Sequence, residues 1–464
     1  MLLSPNGDVE SAGFPCSRLM LIIDLCLKQV NLLPGGDYLM VFKPEKMIGA
    51  ALVASLAAAS VAHAGGFARG TADTDILYED GNFAARAGVA YTMPQRGYET
   101  INGESTNDGD YLDSYAVPSA AAKFNITDDL RCAGTYTQPF GAKATYGPDA
   151  IQAGLYGTGQ GTEYSDFITN EIGLTCGYKF KVGPGNLWLL GGGFVEDISY
   201  EEGTYVFANN PALLTVLDLH EDYKPGFRLG AAFEVPEIAL RVQAMYRSEV
   251  KHNLDGTFTV APALGNQDFL DTIASDLTPL YTNPDAVGAA TLPQSFEIRA
   301  QSGVAPGWLV FGSIKWTDWS AFDVLSYTSA IAAVPAVGPV IESEKEFYWK
   351  DNWTYSLGVG HKFNDMISGS LSLTYDEGVS TTEDVTKDTI TLAGGLQFTV
   401  SEMAKIGVGG AISHLQGGSV AAGATCNATP APTPDCDAGE GNKFAYTLGD
   451  DWAYTIGANL LVKF

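Results

Sequence analysis

The side chains able to do chemistry are few and poorly arranged for catalysis. Five histidines, His63, His220, His252, His361 and His414, are scattered with no GxSxG, HExxH or EF-hand pattern near them. His361 keeps a two-residue period with Trp353, Tyr355, Leu357, Val359 and Phe363, which places it on an apolar face away from any nucleophile. No enzyme, no cofactor and no metal site is expected. Arg247, Glu249 and Lys251 alternate along one segment, a pattern suited to ion pairs that brace neighbouring strands. Cys132 and Cys176 lie inside apolar segments and either pair or pack. Cys426 and Cys436 flank a Pro- and Ala-rich loop that a disulfide between them would close. The cysteine spacings do not form a zinc pattern.

Export is what makes disulfides permissible, and the chain carries a leader. Lys43 and Lys46 precede the Ala-rich run Met47 to Ala62, and Ala62-His63-Ala64 supplies the small-residue cleavage site. Charge, apolar run and cleavage site in that order read as a signal peptide over 40–64, with the mature chain starting at Gly65. A leader seldom begins so far inside a chain. Residues 1–39, with Cys16 and Cys26, are therefore read as an upstream extension of an open frame whose translation starts at Met40.

The elements that must position any site are strands. Charged residues make up 17% of the chain, below the roughly 25% of an average soluble domain, yet mean hydropathy is only +0.03. The apolar residues are dispersed in alternation. From Leu240 to Lys251 the even positions are mostly apolar and the odd ones mostly polar, and the same period runs from Asp451 to Phe464. A soluble sandwich turns such an apolar face toward a second sheet, whereas a membrane barrel turns it toward lipid. Aromatic residues at the segment ends, Trp308, Trp316, Trp353, Phe363, Trp452 and Phe464, favour the barrel because they suit interfacial girdles. A net charge of −28 argues against nucleic acid as a partner.

A tilted membrane strand needs about 9–11 residues. Fourteen segments qualify: 83–93, 114–124, 130–138, 170–181, 186–200, 224–234, 238–251, 294–304, 308–318, 353–363, 367–376, 389–399, 404–414 and 450–464. Short links near Pro236, Pro306, Asn364 and Glu402 alternate with long ones, the asymmetry of outer-membrane barrels. The predicted fold is an all-β transmembrane antiparallel barrel over 83–464. Residues 65–82 show no strand period and form either a small hatch in the lumen or a disordered start.

Several blocks resemble the FadL/TodX family of outer-membrane transporters for long-chain fatty acids and other hydrophobic compounds. They are, in order, Gly65-Gly66-Phe67; Thr137-Gln138-Pro139-Phe140-Gly141; Tyr246-Arg247-Ser248-Glu249-Val250-Lys251 with Gly256; Leu292-Pro293; Pro306-Gly307-Trp308; Thr317 to Phe322; Asp351-Asn352-Trp353; and Thr374 to Gly378. The resemblance implies a fourteen-stranded barrel, a lumen hatch, uptake of a fatty acid or other hydrophobic molecule, and lateral release into outer-membrane lipid. It also implies two pocket residues, Phe67 on the hatch and Lys345 for a carboxylate. The family's hatch motif Asn-Pro-Ala is missing between Gly65 and the first strand, so a short hatch is expected. The family's second pocket cation is missing as well, because the matching stretch reads Glu196-Asp197-Ile198-Ser199-Tyr200-Glu201-Glu202. That opens the alternative of a neutral-hydrocarbon or general porin-like channel. A lateral gap needs a kinked strand, and Gly191-Gly192-Gly193 is the candidate kink, since glycine weakens or bends a strand. By period, Arg247, Glu249 and Lys251 all face the lumen. A bacterial outer-membrane monomer is expected.

Overall fold

A computed structural model describes residues 66–158, 160–206, 213–262, 285–322, 324–329, 341–381, 384–422 and 444–464. The readings placed on residues 1–64 and on Cys426 and Cys436 lie outside them.

Fourteen antiparallel strands close into one barrel among the described residues. Four are continuous and early: β1 (Phe83–Gln95), β2 (Tyr115–Asn125), β4 (Gln160–Val182) and β5 (Gly185–Val206), with β3 interrupted as Leu130–Thr137 and Gly141–Thr145. Next come β6 (Leu213–Val235), β7 (Leu240–Arg247, then Val250–Pro262), β8 (Asp285–Leu292, then Ser295–Ala305), β9 (Trp308–Thr317, then Val324–Ser329) and β10 (Ile341–Glu346, then Asn352–Lys362). The last four are β11 (Ile367–Asp376), β12 (Thr389–Ser401), β13 (Ala404–Leu415) and β14 (Asp451–Lys463). Closure comes from β14 pairing with β1, Ala84 opposite Lys463 through Gln95 opposite Trp452. Several strands run well past the predicted spans at the long-loop end, as in Gln160–Val182 and Leu213–Val235.

Lipid-type alternation holds on the outer face. Along β14, Trp452, Tyr454, Ile456 and Leu460 are exposed while Ala453, Thr455 and Leu461 are buried. Inside, small hydroxyl residues bond across the lumen wall, as Thr92 with Thr455 (2.9 Å) and Thr391 with Ser413 (2.8 Å). Outward aromatics form two belts, one with Phe83, Phe124, Tyr178, Trp308 and Phe464 at the short-turn end, the other with Phe227, Trp353, Tyr355 and Trp452. His361 stacks on Trp308 in the first belt, ring centroids 4.1 Å apart.

Two expectations fail at particular residues. Gly191, Gly192 and Gly193 pair without interruption on both flanks, opposite Cys176 to Leu174 on β4 and Leu229 to Phe227 on β6, so no kink lies there. The register shift in β5 comes later, between Glu196 and Ile198. Glu249 and Lys251 do not join the lumen; they pair with each other at 3.3 Å on the exposed side, Lys251 being 72% exposed. The cause is the break in β7 at 248–249, which flips the alternation: Gln243 is buried below it, whereas Val250, His252 and Leu254 are buried above it.

Cys132 and Cys176 face each other across β3 and β4 and are joined by a disulfide. They sit in the outward rows with Leu130, Tyr136, Ile172 and Leu174, so the bridge is on the lipid side of the wall.

Residues 66–82 lie within the barrel. A 3-10 turn, Thr74–Tyr78, presents Ile76 and Leu77, both fully buried against Trp188, Leu190, Ala121, Ala133 and Leu461. Burying two such side chains stabilises the docked segment by about 3–6 kcal/mol at the usual yield per residue.

Candidate functional site

The site is built where strands break. In β9 the break is a 3-10 turn, Trp319–Ala321, which turns Trp319 and then Phe322 inward. In β10 the break at 347–351 does the same for Phe347 and Trp349, with Tyr348 between them at φ +43°. A regular strand would send Trp319 and Phe322, three apart, to opposite faces, so the irregular backbone of β9 gathers those two rings, whereas Phe347 and Trp349, two apart, share a face by period. In β3 the break at 138–140 delivers Phe140.

Phe67 of the hatch stands at the centre of this cluster. Its ring centroid lies 4.7 Å from Trp349, 5.3 Å from Phe167, 5.4 Å from Phe347, 5.7 Å from Phe322 and 6.3 Å from Trp319. Gly66 makes the approach possible: its φ is +59°, and a Cβ there would fall 2.7 Å from Trp349 and 2.8 Å from Trp319. Above the rings opens a cavity of about 270 Å³. Phe67, Phe167, Phe322 and Trp349 line one part; Tyr98, Tyr111, Tyr146 and Tyr446, drawn from the long-loop end, line the other. The tyrosines stack, Tyr98 on Tyr111 at 4.9 Å and Tyr111 on Tyr146 at 5.5 Å. Edge-to-face and offset ring packing of this kind suits an apolar guest.

Polar groups around the cavity are mostly committed. Arg96 is buried and donates to the carbonyls of Val385, Leu415, Gln416 and Gly449 at 3.1–3.4 Å, tying loop segments together. Asp384 accepts from Trp349 Nε1 at 2.7 Å and Thr386 Oγ1 at 3.1 Å, and burial raises its carboxyl above the usual carboxylate range. Lys387 also lines the cavity, a residue that no sequence pattern singled out. Lys345 stands on β10 directly across the ladder from cavity residue Leu325, two positions before Phe347; only its backbone is among what the structure describes.

Beneath the rings runs a buried charge chain across four strands. Glu171 on β4 binds Arg228 on β6 and Arg247 on β7, the latter at 3.2 Å. Arg247 also binds Glu196 on β5, and His252 joins at 3.7 Å from Glu196 and 3.0 Å from Glu221. Arg247 thus braces the wall as its position suggests, with partners on other strands instead of Glu249 and Lys251. Breaking one member of such a buried set costs about 3–5 kcal/mol.

The wall itself is incomplete between β2 and β3. Their ladder runs from Asn125 opposite Arg131 to Ala120 opposite Tyr136 and stops. Residues 115–119 then pair with β1 alone, and contact with β3 resumes only at the bridge of Leu112 with Ala144. The hatch covers the freed edge from inside: Arg69 N donates to Pro139 O and Gly70 N to Gln138 O, both at 2.8 Å, and Gly141 N to Phe67 O at 2.9 Å.

A closed barrel with lipid-facing aromatic belts, a lumen segment and an apolar cavity defines a membrane-spanning transport channel of the outer-membrane kind. Residues 73–378 match the family model described as Outer membrane protein transport protein (OMPP1/FadL/TodX), and the chain belongs to that family. It is a transport protein and not an enzyme. Among curated relatives, the long-chain fatty acid transport protein of Salmonella typhi is 26% identical over 384 residues, 72% of this chain and 78% of that protein. The namesake from Escherichia coli O6:H1 is 24% identical over 371 residues, 71% and 77% of the two chains. Among solved structures, a Pseudomonas aeruginosa FadL homologue superposes with a TM-score of 0.62 at 14% identity, covering 84% of this chain and 92% of that one. The Ralstonia pickettii toluene transporter TbuX gives 0.55 at 12% identity, covering 83% and 90%. These structural likenesses concern the fold.

Proposed function

We propose that the barrel takes up long-chain fatty acids or closely related hydrophobic compounds. The guest enters the tyrosine-lined mouth, seats in the ring cluster around Phe67, and leaves sideways through the gap between β2 and β3. The observation that carries this reading is the seating of Phe67: the residue that closes the apolar cavity belongs to the same hatch segment whose backbone covers the gap. A guest displacing Phe67 pulls on the hydrogen bonds that seal the wall. An acyl chain gains about 0.8 kcal/mol per buried methylene, ample to drive its capture from water. Lys345 is the cation assigned to a carboxylate at the cavity.

A second reading, passage of a neutral hydrocarbon, is favoured by one observation: Arg96, the buried cation lining the cavity, is spent on four carbonyls. Uptake of labelled oleate and labelled toluene by cells lacking their own transporter, supplied with residues 40–464, separates the two. Oleate uptake that falls at least about tenfold in Phe67→Ala and in Lys345→Ala supports the fatty-acid reading. Toluene uptake alone, indifferent to Lys345→Ala, replaces it with the hydrocarbon reading.

A further inference from the structure

Next to the gap, the hatch carries a cation with too few partners. Arg69 is 6% exposed, and its Nε and Nη2 make no hydrogen bond. The guanidinium lies 4.0 Å over the ring of Tyr115, on the β2 edge of the gap, and against Gly141 on the β3 edge. A Cβ on Gly141 would sit 2.7 Å from Arg69 Cζ, so glycine there makes the room that the guanidinium occupies. Asp166, a carboxylate whose charge reaches Arg69, is engaged by Lys143 at 2.9 Å. At the rim of the gap one more buried polar atom, Thr137 Oγ1, makes no hydrogen bond. A Cβ on the neighbouring Gly70 would meet Thr137 Oγ1 at 2.4 Å, which places that hydroxyl against the same stretch of hatch. Unpaired buried polar groups are rare because each costs about 1–3 kcal/mol, and these lie along the hatch stretch that covers a gap in a membrane wall.

We propose that Arg69, assisted by the Thr137 hydroxyl, is a carboxylate-binding station between the floor of the cavity and the gap, holding the acidic head of an amphiphile as its tail passes toward lipid. The reading rests on the cavity assignment above. Nε and Nη2 form one edge of the guanidinium fork, the edge that matches a carboxylate with two parallel bonds. Thr137 donates a third. Phe67 and Arg69 are two residues apart on one segment, so cavity and station are joined by the hatch backbone. The station selects for charge on the head, a property that the ring cluster cannot supply.

The test compares two probes with one tail, dodecanoate and 1-dodecanol, bound to the purified full-length protein in detergent and read by tryptophan quenching. Arg69→Gln is expected to weaken dodecanoate by about tenfold or more while leaving dodecanol within about twofold; Arg69→Lys, a point charge without the fork, falls between. Gly141→Ala displaces the guanidinium without removing it and is expected to act on dodecanoate in the same selective way, which keeps the test open if Arg69→Gln fails to fold. Equal weakening of both probes makes Arg69 a brace for the hatch and overturns the proposal. So does unchanged dodecanoate binding, which leaves only water in the site. A wild-type protein that binds neither probe removes the cavity reading itself, and the station with it.

Discussion

At the scale of single residues, Asp384 shows how a carboxylate outside the barrel wall controls the cavity. It holds the indole of Trp349, a ring in contact with Phe67, and burial raises its carboxyl. A carboxyl whose folded value lies above its unfolded one adds stability that is complete below the unfolded value and is lost as pH rises through the folded one. The segment around Asp384 is therefore expected to be most protected in acid and to loosen toward neutral pH. Hydrogen exchange of residues 377–381 and 384–388 across that range reads this directly: protection should fall with rising pH in wild type and stay flat in Asp384→Asn, and a flat wild-type profile sinks the idea. Legibility at this scale followed pattern. Phe67 stood out through its Gly-Gly-Phe context, and Arg247 through alternation. Arg69, Lys387 and His252 did not, since a single cation in an irregular segment has no period and its partners are set by a fold that crosses distant strands.

At the scale of elements, the breaks in β3, β7, β8, β9 and β10 do what continuous strands cannot. Each reverses or suspends alternation, turning adjacent rings inward or freeing an edge. Sequence reading placed every strand core, because apolar alternation against lipid is strict. It misplaced the kink, because glycines in an extended ladder keep both sets of partners, while the real break of β3 falls at Gln138-Pro139-Phe140, where proline cannot donate to a ladder. The β3–β4 disulfide braces the lower half of that broken strand from the lipid side. Closing a span of 44 residues is worth about 4 kcal/mol in the chain-entropy account. Dithiothreitol is accordingly expected to leave the bridge intact in the folded barrel, where lipid screens it. After unfolding, reduction should lower the urea midpoint of refolded protein. Rapid reduction in intact membranes counts against the lipid-facing placement.

At the scale of the whole molecule, the question is whether the lumen is an open pore or a plugged one. The hatch is short, yet it is pinned from five strands. Arg86 on β1 binds Asp73 at 2.5 Å and Glu79 at 2.7 Å; Lys123 on β2 donates to Glu79 O and Gly81 O at 2.8 and 2.6 Å; Arg131 on β3 donates to Leu77 O at 3.0 Å. Arg241 on β7 and Arg299 on β8 flank Asp75 at 3.7 and 3.5 Å. Ionic anchoring at both acidic ends of a segment whose middle buries Ile76 and Leu77 holds it by charge and apolar contact together. A general diffusion porin has no use for such anchors, and their removal gives a measurable difference. In planar bilayers wild-type protein is expected to conduct little. Arg86→Gln with Arg299→Gln removes the partner of Asp73 and Glu79 and one of the two arginines beside Asp75, at about 3–5 kcal/mol for breaking the buried Arg86 set, and should raise conductance several-fold by letting the hatch leave the lumen. Fluctuating openings in the double variant, against a quiet wild type, identify a gated plug. A wild type already as conductive as the variant shows instead that water and ions pass beside the hatch, and the porin-like reading then prevails over capture and release.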